Sequence, residues 1–117
     1  MITRFPTAAT LFALILFSPA LALLGNASTT RAAEIYSAAC ASCHGSDGRG
    51  APRSQVGFDL PLPDFTDCSF AVREPDSDWN AVAHAGGPAR AFSRLMPAFG
   101  DALGPEELHM ATAHVRT

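Results

Sequence analysis

Two cysteines and a histidine in the first half of the chain have the spacing needed for covalent cofactor chemistry. Residues 40–44 are Cys-Ala-Ser-Cys-His, so Cys40 and Cys43 lie three positions apart and His44 follows directly. Side chains three apart on a helical turn are neighbours, and two such thiols can add to the two vinyl groups on one side of a porphyrin. A neutral imidazole is a good axial ligand for iron when its other ring nitrogen has an acceptor, here the carbonyl of Pro52. The motif therefore predicts one covalently bound haem c.

Three other chemistries use a Cys-x-x-Cys pair. A thioredoxin-like redox pair requires a preceding strand in a βαβ unit, and no strand pattern precedes Cys40. A structural zinc site requires a second ligand pair at a characteristic spacing, which Cys68 and His84 do not have. A disulfide between Cys40 and Cys43 suits an oxidising compartment but leaves His44 without a role. Haem attachment is the interpretation that uses all three residues of the motif.

A second iron ligand can be sought among the methionines and histidines. Of the three methionines, Met1 falls in the predicted leader and Met110 lies within a predicted helix. Met96 precedes Pro97, which disfavours helical geometry at Met96 and suits a loop that projects the thioether. Since methionine is a known haem ligand, Met96 is the predicted second ligand. The rival ligands are histidines that also suit a helix surface: His84, His109 and His114.

The amino terminus has the composition of a targeting segment. A single charge, at Arg4, precedes an uncharged run over residues 8–24, and an Ala-x-Ala-like cleavage pattern lies near its end. We therefore predict a signal peptide over residues 1–32, cut between about residues 22 and 33, and a folded domain over residues 33–117. This leader predicts export to the periplasm, and an uncleaved leader would tether the domain to the membrane.

The charge balance bears on the class of partner. All eight basic residues are arginines, and eleven carboxylates bring the net charge to −3, with no basic stripe of the kind that binds nucleic acid. Removing the leader takes away Arg4 and Arg31, and the remaining six arginines and eleven carboxylates give −5. We expect redox partner proteins with a basic or neutral docking surface, and no nucleic acid.

Short helices and loops are predicted to position these residues. Helix-forming residues lead into Cys40, and glycines and prolines then break regular structure through the middle third. Asp76 or Ser77 can cap a further helix that Gly86 would end, and Pro105 suits the first turn of the last helix. The helices are predicted over residues 32–40, 78–85 and 105–116, with no sheet. Their inward-facing residues are predicted to include Ile35, Tyr36, Trp79, Leu108, Ala111 and Val115.

Three segments resemble class I cytochrome c, and together they span nearly all of the predicted domain. They are Glu-Ile-Tyr leading into the cysteine motif, Met-Pro-Ala-Phe-Gly at residues 96–100, and the closing helix. The resemblance implies an all-α, small cytochrome c fold, with three to four short helices and loops around one covalently bound haem. The first and last helices would cross. It assigns haem attachment to Cys40 and Cys43 and iron ligation to His44 and Met96.

Two residues depart from the family pattern. Cys68 is a third cysteine between two phenylalanines, which we interpret as a buried small apolar residue; a bond to a cysteine beyond residue 117 is the alternative. His114 stands where an aromatic of the last helix is usual, and we expect it to loosen the helix crossing. The groups that could hold the haem propionates remain open: Arg53, Arg73, Arg90 and Trp79.

The predicted function is electron transfer by an electron carrier that is not itself an enzyme. With both axial positions filled, catalysis at the iron is disfavoured. One alternative is the haem domain of a larger oxidoreductase. The other is a haem enzyme or gas-sensing module with a labile sixth ligand. The chain is expected to be a monomer or a domain of a larger assembly.

Overall fold

The computed structural model describes the backbone of residues 19–117, which form helices and loops. Most of the predicted leader lies outside these residues. No strand occurs among the described residues, so the all-α prediction is confirmed, and no helix there is both long and apolar enough to cross a membrane. In chain order the elements are α1 (Pro19–Ala39), α2 (Ala41–His44), α3 (Arg53–Val56), α4 (Cys68–Ala71), α5 (Asp76–Ala85), a 3₁₀ helix (Gly87–Arg90) and α6 (Pro105–Val115).

The main contact of the fold is the crossing of α1 with α6. Ile35 and Tyr36 on α1 and Leu108 on α6 each retain only 4% of their exposure, and Ala111 retains 5%. Burying one such large apolar side chain contributes about 1.5–3 kcal/mol. The ring of His114 lies 5.5 Å from that of Tyr36, centroid to centroid, so this histidine keeps an aromatic contact between the two helices. The predicted crossing is confirmed, and the expected loosening at His114 stays a prediction.

The start of α6 is stabilised by its own first turn. Gly104 precedes the helix, Pro105 occupies the first position, and the Glu107 carboxylate accepts the Gly104 N–H at 3.2 Å. The same carboxylate accepts a hydrogen bond from Arg31 on α1 at 2.7 Å. These two interactions hold the pKa of Glu107 below its ordinary value, with Arg31 as the larger cause. The first turn of α6 is thus tied to α1 by charge as well as by apolar packing.

Helix α5 begins two residues earlier than predicted. Asp76 lies inside its first turn, and the carbonyl of Pro75 accepts the N–H of Asp78 at 3.0 Å, so neither Asp76 nor Ser77 is the cap. The predicted stop is correct, because Gly86 follows the helix with a φ of +83°. The positive φ of Gly86 therefore ends α5, and the loop that contains Met96 packs against this end.

The middle third is irregular, as predicted, except for two single-turn helices. Helix α3 follows Pro52, whose carbonyl accepts the N–H groups of Gln55 and Val56. Helix α4 is capped by the Asp67 carboxylate, which accepts the Ser69 N–H at 2.8 Å. These turns carry the chain around one side of a large cavity.

Candidate haem-binding site

In the Cys-x-x-Cys-His segment, Cys40 separates α1 from α2, and Cys43 and His44 lie within α2. The N–H groups of Cys43 and His44 both donate to the Cys40 carbonyl, at 3.2 and 3.0 Å, which closes one tight turn. The Tyr36 hydroxyl donates to the Gly45 carbonyl at 2.7 Å and ties the far end of this turn to the helix crossing. Both cysteines are half-buried free thiols, and burial raises the pKa of Cys40. At neutral pH Cys40 is therefore a protonated thiol.

His44 is held as a neutral imidazole. Burial lowers its pKa, and its ring stacks on Phe65 with 4.7 Å between centroids. Its Nδ1 atom is buried without a hydrogen-bond partner in the described chain. The prediction that the Pro52 carbonyl accepts from His44 is wrong for this structure, because that carbonyl accepts from the first turn of α3 instead. A neutral imidazole carries a lone pair on one of its two ring nitrogens, and a metal requires such a lone pair.

A cavity of about 880 Å³ opens beside the motif. Its wall is mostly apolar and is formed by residues of α1, α2, α4, α5, the 3₁₀ helix and α6, together with the middle loops and the loop before α6. Ligand pockets typically measure about 300–1,000 Å³, so this one suits a large, mostly apolar cofactor. The wall contains all four predicted site residues, namely Cys40, Cys43, His44 and Met96.

The two methionines in the described chain occupy different environments. Met96 lies in the loop between the 3₁₀ helix and α6 and lines the cavity, whereas Met110 lies on α6 and does not. A shallower groove of about 520 Å³ between α5 and α6 includes two of the rival histidines. In the part of the chain that the structure describes, none of the rival histidines lines the larger cavity: His84, His109 and His114.

Backbone hydrogen bonds attach the Met96 loop to the end of α5. Gly87 donates its N–H to the Met96 carbonyl at 3.0 Å, and Phe99 donates to the Ala83 carbonyl at 3.0 Å. The loop is thus bonded at Met96 itself and again at Phe99. This attachment fixes the backbone from which the Met96 thioether extends along the cavity wall.

Trp79 lines the cavity and carries a second unpaired polar atom. Its ring packs against Phe65 and Phe70, with centroid distances of 5.2 and 5.9 Å. Its Nε1 donor is buried without a partner in the described chain. An unpaired buried polar group costs about 1–3 kcal/mol, so such groups usually have a partner when the site is filled. A porphyrin with its iron and acidic propionates offers a ligand site for His44 and acceptors for Trp79, so these residues fit a haem.

Comparison with known families agrees with this geometry. A family model described as cytochrome c oxidase, cbb3-type, subunit III matches residues 27–115. The chain belongs to this family. A search among curated proteins gives no match, and a search among solved structures gives none either. The family match confirms the resemblance to c-type cytochromes and implies haem-based electron transfer by an electron-carrier domain.

In this cbb3-type subunit III family member, the four candidates for binding the haem propionates differ in whether they line the cavity. Arg53 pairs with Asp59 and does not line the cavity, whereas Arg73, Arg90 and Trp79 do. Two carboxylates pair with Arg90, those of Glu74, at 3.0 Å, and Asp78. Arg73 and Trp79 therefore lie on the wall without such a pairing among the described residues.

The third cysteine lies outside this site. Cys68 is exposed, so the interpretation of Cys68 as a buried apolar residue is wrong. Asp67 caps α4 and makes Cys68 the first residue of a single turn, while Phe70 lines the cavity. Apolar neighbours in the sequence therefore do not predict whether a cysteine in a single-turn helix is buried.

Sequence reasoning missed one wall residue that touches a predicted ligand. Phe65 stacks on His44, and its backbone N–H donates to the Gly48 carbonyl at 2.8 Å. No local pattern indicates this contact, because Phe65 follows a proline-containing stretch without helical or strand spacing. The one sequence feature that could have indicated Phe65 is its aromatic side chain, because a haem needs an apolar wall.

Proposed function

We propose that this cbb3-type subunit III family member is an exported electron carrier with a single haem c. In this proposal Cys40 and Cys43 hold the haem through thioether bonds, and His44 and Met96 are the axial ligands of its iron. A bound haem supplies a one-electron Fe(III)/Fe(II) couple. The residues of this chain bind and orient that group and exclude water from it.

One observation carries the ligand assignment. Met96 lines the same cavity as Cys40, Cys43 and His44, whereas Met110, the other methionine in the described chain, does not. The rival histidines also lie elsewhere in that part of the chain. A thioether on the cavity wall and a neutral imidazole beside the cysteines form a His/Met donor set.

The protein environment suits electron transfer. Both proposed ligands are uncharged, since burial lowers the pKa of His44 and a thioether does not titrate. His/Met ligation raises the reduction potential relative to a pair of histidines. The stacked rings of Phe65 and Phe70 form an apolar wall, which limits access of water. With both axial positions occupied by protein groups, the site favours electron exchange over binding of a substrate.

The test is an optical spectrum of the purified, exported, haem-loaded protein and of two methionine variants. The ferric wild-type protein is expected to show the weak near-infrared absorption of methionine–iron ligation. Met96→Ala should abolish this band. Met110→Ala is the matched control, because it removes the same side chain from a helix outside the cavity wall, and it should keep the band.

A different spectrum would favour the second class of function. A covalent haem without the near-infrared band, whose ferrous form binds carbon monoxide readily, would contradict ligation by Met96. That result would support a haem enzyme or gas-sensing module with a labile sixth position.

The family description supports a second candidate, in which the chain is part of a larger oxidase assembly. The matched family is described as a subunit of a cbb3-type cytochrome c oxidase. Gentle detergent extraction of the full chain from its own host, followed by size-exclusion chromatography with haem absorbance, separates the candidates. Elution as a monomer supports a free carrier. Elution in a much larger, multi-haem complex supports a subunit that passes electrons within an oxidase.

Export and processing need a separate measurement. The proposal places the folded domain in the periplasm, after cleavage between about residues 22 and 33. Cell fractionation combined with the intact mass of the haem-loaded protein tests this directly. A mass that includes residues 1–21, found in the membrane fraction, would mean an uncleaved leader that tethers the domain.

A further inference from the structure

Two adjacent buried glycines lie where the Met96 loop meets the end of α5. Gly87 donates its N–H to the Met96 carbonyl at 3.0 Å, and its own carbonyl accepts the N–H of Phe92 at 2.9 Å. Gly86, the residue before it, is also buried. Both polar groups of the Gly87 backbone are thus used to hold the loop. We call Gly86 and Gly87 the glycine seam.

A side chain at residue 87 has no room. A methyl group on Gly87 would overlap the Ser93 carbonyl oxygen and would lie 3.2 Å from the Met96 Cβ. The same Ser93 carbonyl accepts the Met96 N–H at 3.1 Å. Gly87 lies outside the region of positive φ, so close approach, and not backbone conformation, requires glycine here. Moving Ser93 would remove the hydrogen bond on the Met96 backbone.

Gly86 adds a conformational requirement to this contact. Its φ of +83° and ψ of 174° fall in a region that is essentially restricted to glycine. A methyl group on Gly86 would also lie 3.0 Å from the Met96 carbonyl oxygen and 3.2 Å from the Ala98 nitrogen. Both glycines therefore allow the loop backbone to approach α5 more closely than other residues would.

We propose that the glycine seam positions the Met96 thioether and thereby sets how firmly Met96 is held as an iron ligand. Gly86 and Gly87 are positioning residues, because they act through the loop backbone and not by contact with the haem. The inference rests on the proposed function, since it takes Met96 as the second ligand. It adds that the strength of ligation is decided at the junction of α5 with the loop.

The primary test compares Gly87→Ala with Gly104→Ala in the exported, haem-loaded protein. The measurements are the near-infrared band and the affinity of the ferric form for imidazole, which competes with a weakly held methionine. Gly87→Ala should weaken the band and raise the imidazole affinity at least about tenfold, as expected for overpacking at a tight contact. Gly104→Ala should change neither, because a methyl group at Gly104 meets nothing within 4 Å.

A second pair of variants separates backbone strain from contact with the loop. Gly86 and Gly57 both have positive φ, at +83° and +74°, but a methyl group at Gly57 meets nothing within 4 Å. Gly86→Ala and Gly57→Ala should both lower the free energy of unfolding. Gly86→Ala alone should raise the imidazole affinity. Equal imidazole affinity in these two variants would count against the inference.

The Met96→Ala and Gly87→Ala variants together distinguish failure of the proposed function from failure of the glycine seam to position the ligand. If Met96→Ala retains the near-infrared band, the ligand assignment fails, whatever the glycine variants do. If Met96→Ala loses the band while Gly87→Ala keeps it, with imidazole affinity within about twofold of wild type, the seam does not position the ligand.

Wild-type protein provides a test that does not depend on Gly87→Ala folding. Coupling between sites is reciprocal, so displacing Met96 with saturating imidazole should loosen the seam. Hydrogen exchange of the Gly87 amide should then accelerate at least about tenfold, while that of Ala111 in the helix crossing should change little. Unchanged exchange at Gly87 after Met96 is displaced would overturn the inference.

Discussion

The helix crossing and the cavity wall bury apolar surface in different ways. In the crossing, side chains of α1 and α6 cover each other, and Ile35 and Leu108 retain 4% exposure. Along the cavity wall, Leu60, Phe92 and Leu95 retain 37%, 52% and 51%. Domains of under about 90 residues often need a disulfide, a metal or a cofactor to complete the core. The polypeptide thus completes its own core at the helix crossing, whereas the apolar side chains of the cavity wall are left for a bound cofactor to cover.

The largest expected effect comes from removing haem attachment. If haem is attached as proposed, replacing both Cys40 and Cys43 with Ala should abolish cooperative unfolding, because the cavity wall then lacks the group that joins its sides. Circular dichroism followed through a denaturant titration measures this. Cys68→Ala is the control, since Cys68 is exposed and lies outside the cavity. A double variant with a wild-type unfolding transition would mean that the wall is stable alone.

A smaller effect is expected from weakening the helix crossing. Leu108→Ala in the haem-loaded protein should lower the free energy of unfolding by about 2–5 kcal/mol, because it leaves a cavity between α1 and α6. Denaturant unfolding followed by haem absorbance measures the change. Val72 is 73% exposed, so Val72→Ala should change the free energy by less than about 0.5 kcal/mol. Similar losses in both variants would contradict the importance of the crossing.

The smallest effect concerns the charge that ties α6 to α1. The hydrogen bonds from Arg31 and Gly104 lower the pKa of Glu107 from its ordinary value of 4.5. A depressed folded-state pKa stabilises the fold above the unfolded pKa, and this stabilisation is lost as the pH falls through the folded pKa. In protein that retains Arg31, wild type should therefore lose stability as the pH falls below about 4.5, and Glu107→Gln should lose less.

Unfolding titrations at neutral and acidic pH measure this difference. Glu106→Gln is the matched control, because Glu106 is the neighbouring carboxylate and forms no ion pair among the described residues. An identical pH dependence in wild type and Glu107→Gln would show that the Arg31 contact does not stabilise the folded state.

The predictable parts of the molecule depend on local signals. The end of α1 at the cysteine motif follows from helix-forming residues, and the buried face of α6 follows from the spacing of Leu108 and Ala111. Gly86 and Pro105 mark a helix end and a helix start through their backbone preferences. Cys40, Cys43 and His44 are recognised from one short motif, and their presence on a common cavity wall follows from that spacing.

The parts that sequence did not predict depend on contacts between distant segments. The Phe65 ring on His44 and the close approach of Gly87 to Ser93 join residues without a shared local pattern. The use of the Pro52 carbonyl by α3 and the exposure of Cys68 depend on single-turn helices that are too short to leave a periodic signal. The position of Met96 was predictable only in part. Pro97 indicates that Met96 lies in a loop, but its place on the cavity wall depends on tertiary contacts.

The crossing of α1 with α6 also has a consequence for the order of events during synthesis. It joins the first helix of the described chain to the last, so it cannot form until α6 has been delivered. A chain delivered from its amino terminus presents Cys40 and Cys43 before α6 has emerged. Under the proposed haem attachment, the two thiols stay accessible in an unpacked chain until the final residues arrive. The order of the elements along the chain thus exposes the proposed attachment residues before the helix crossing can close.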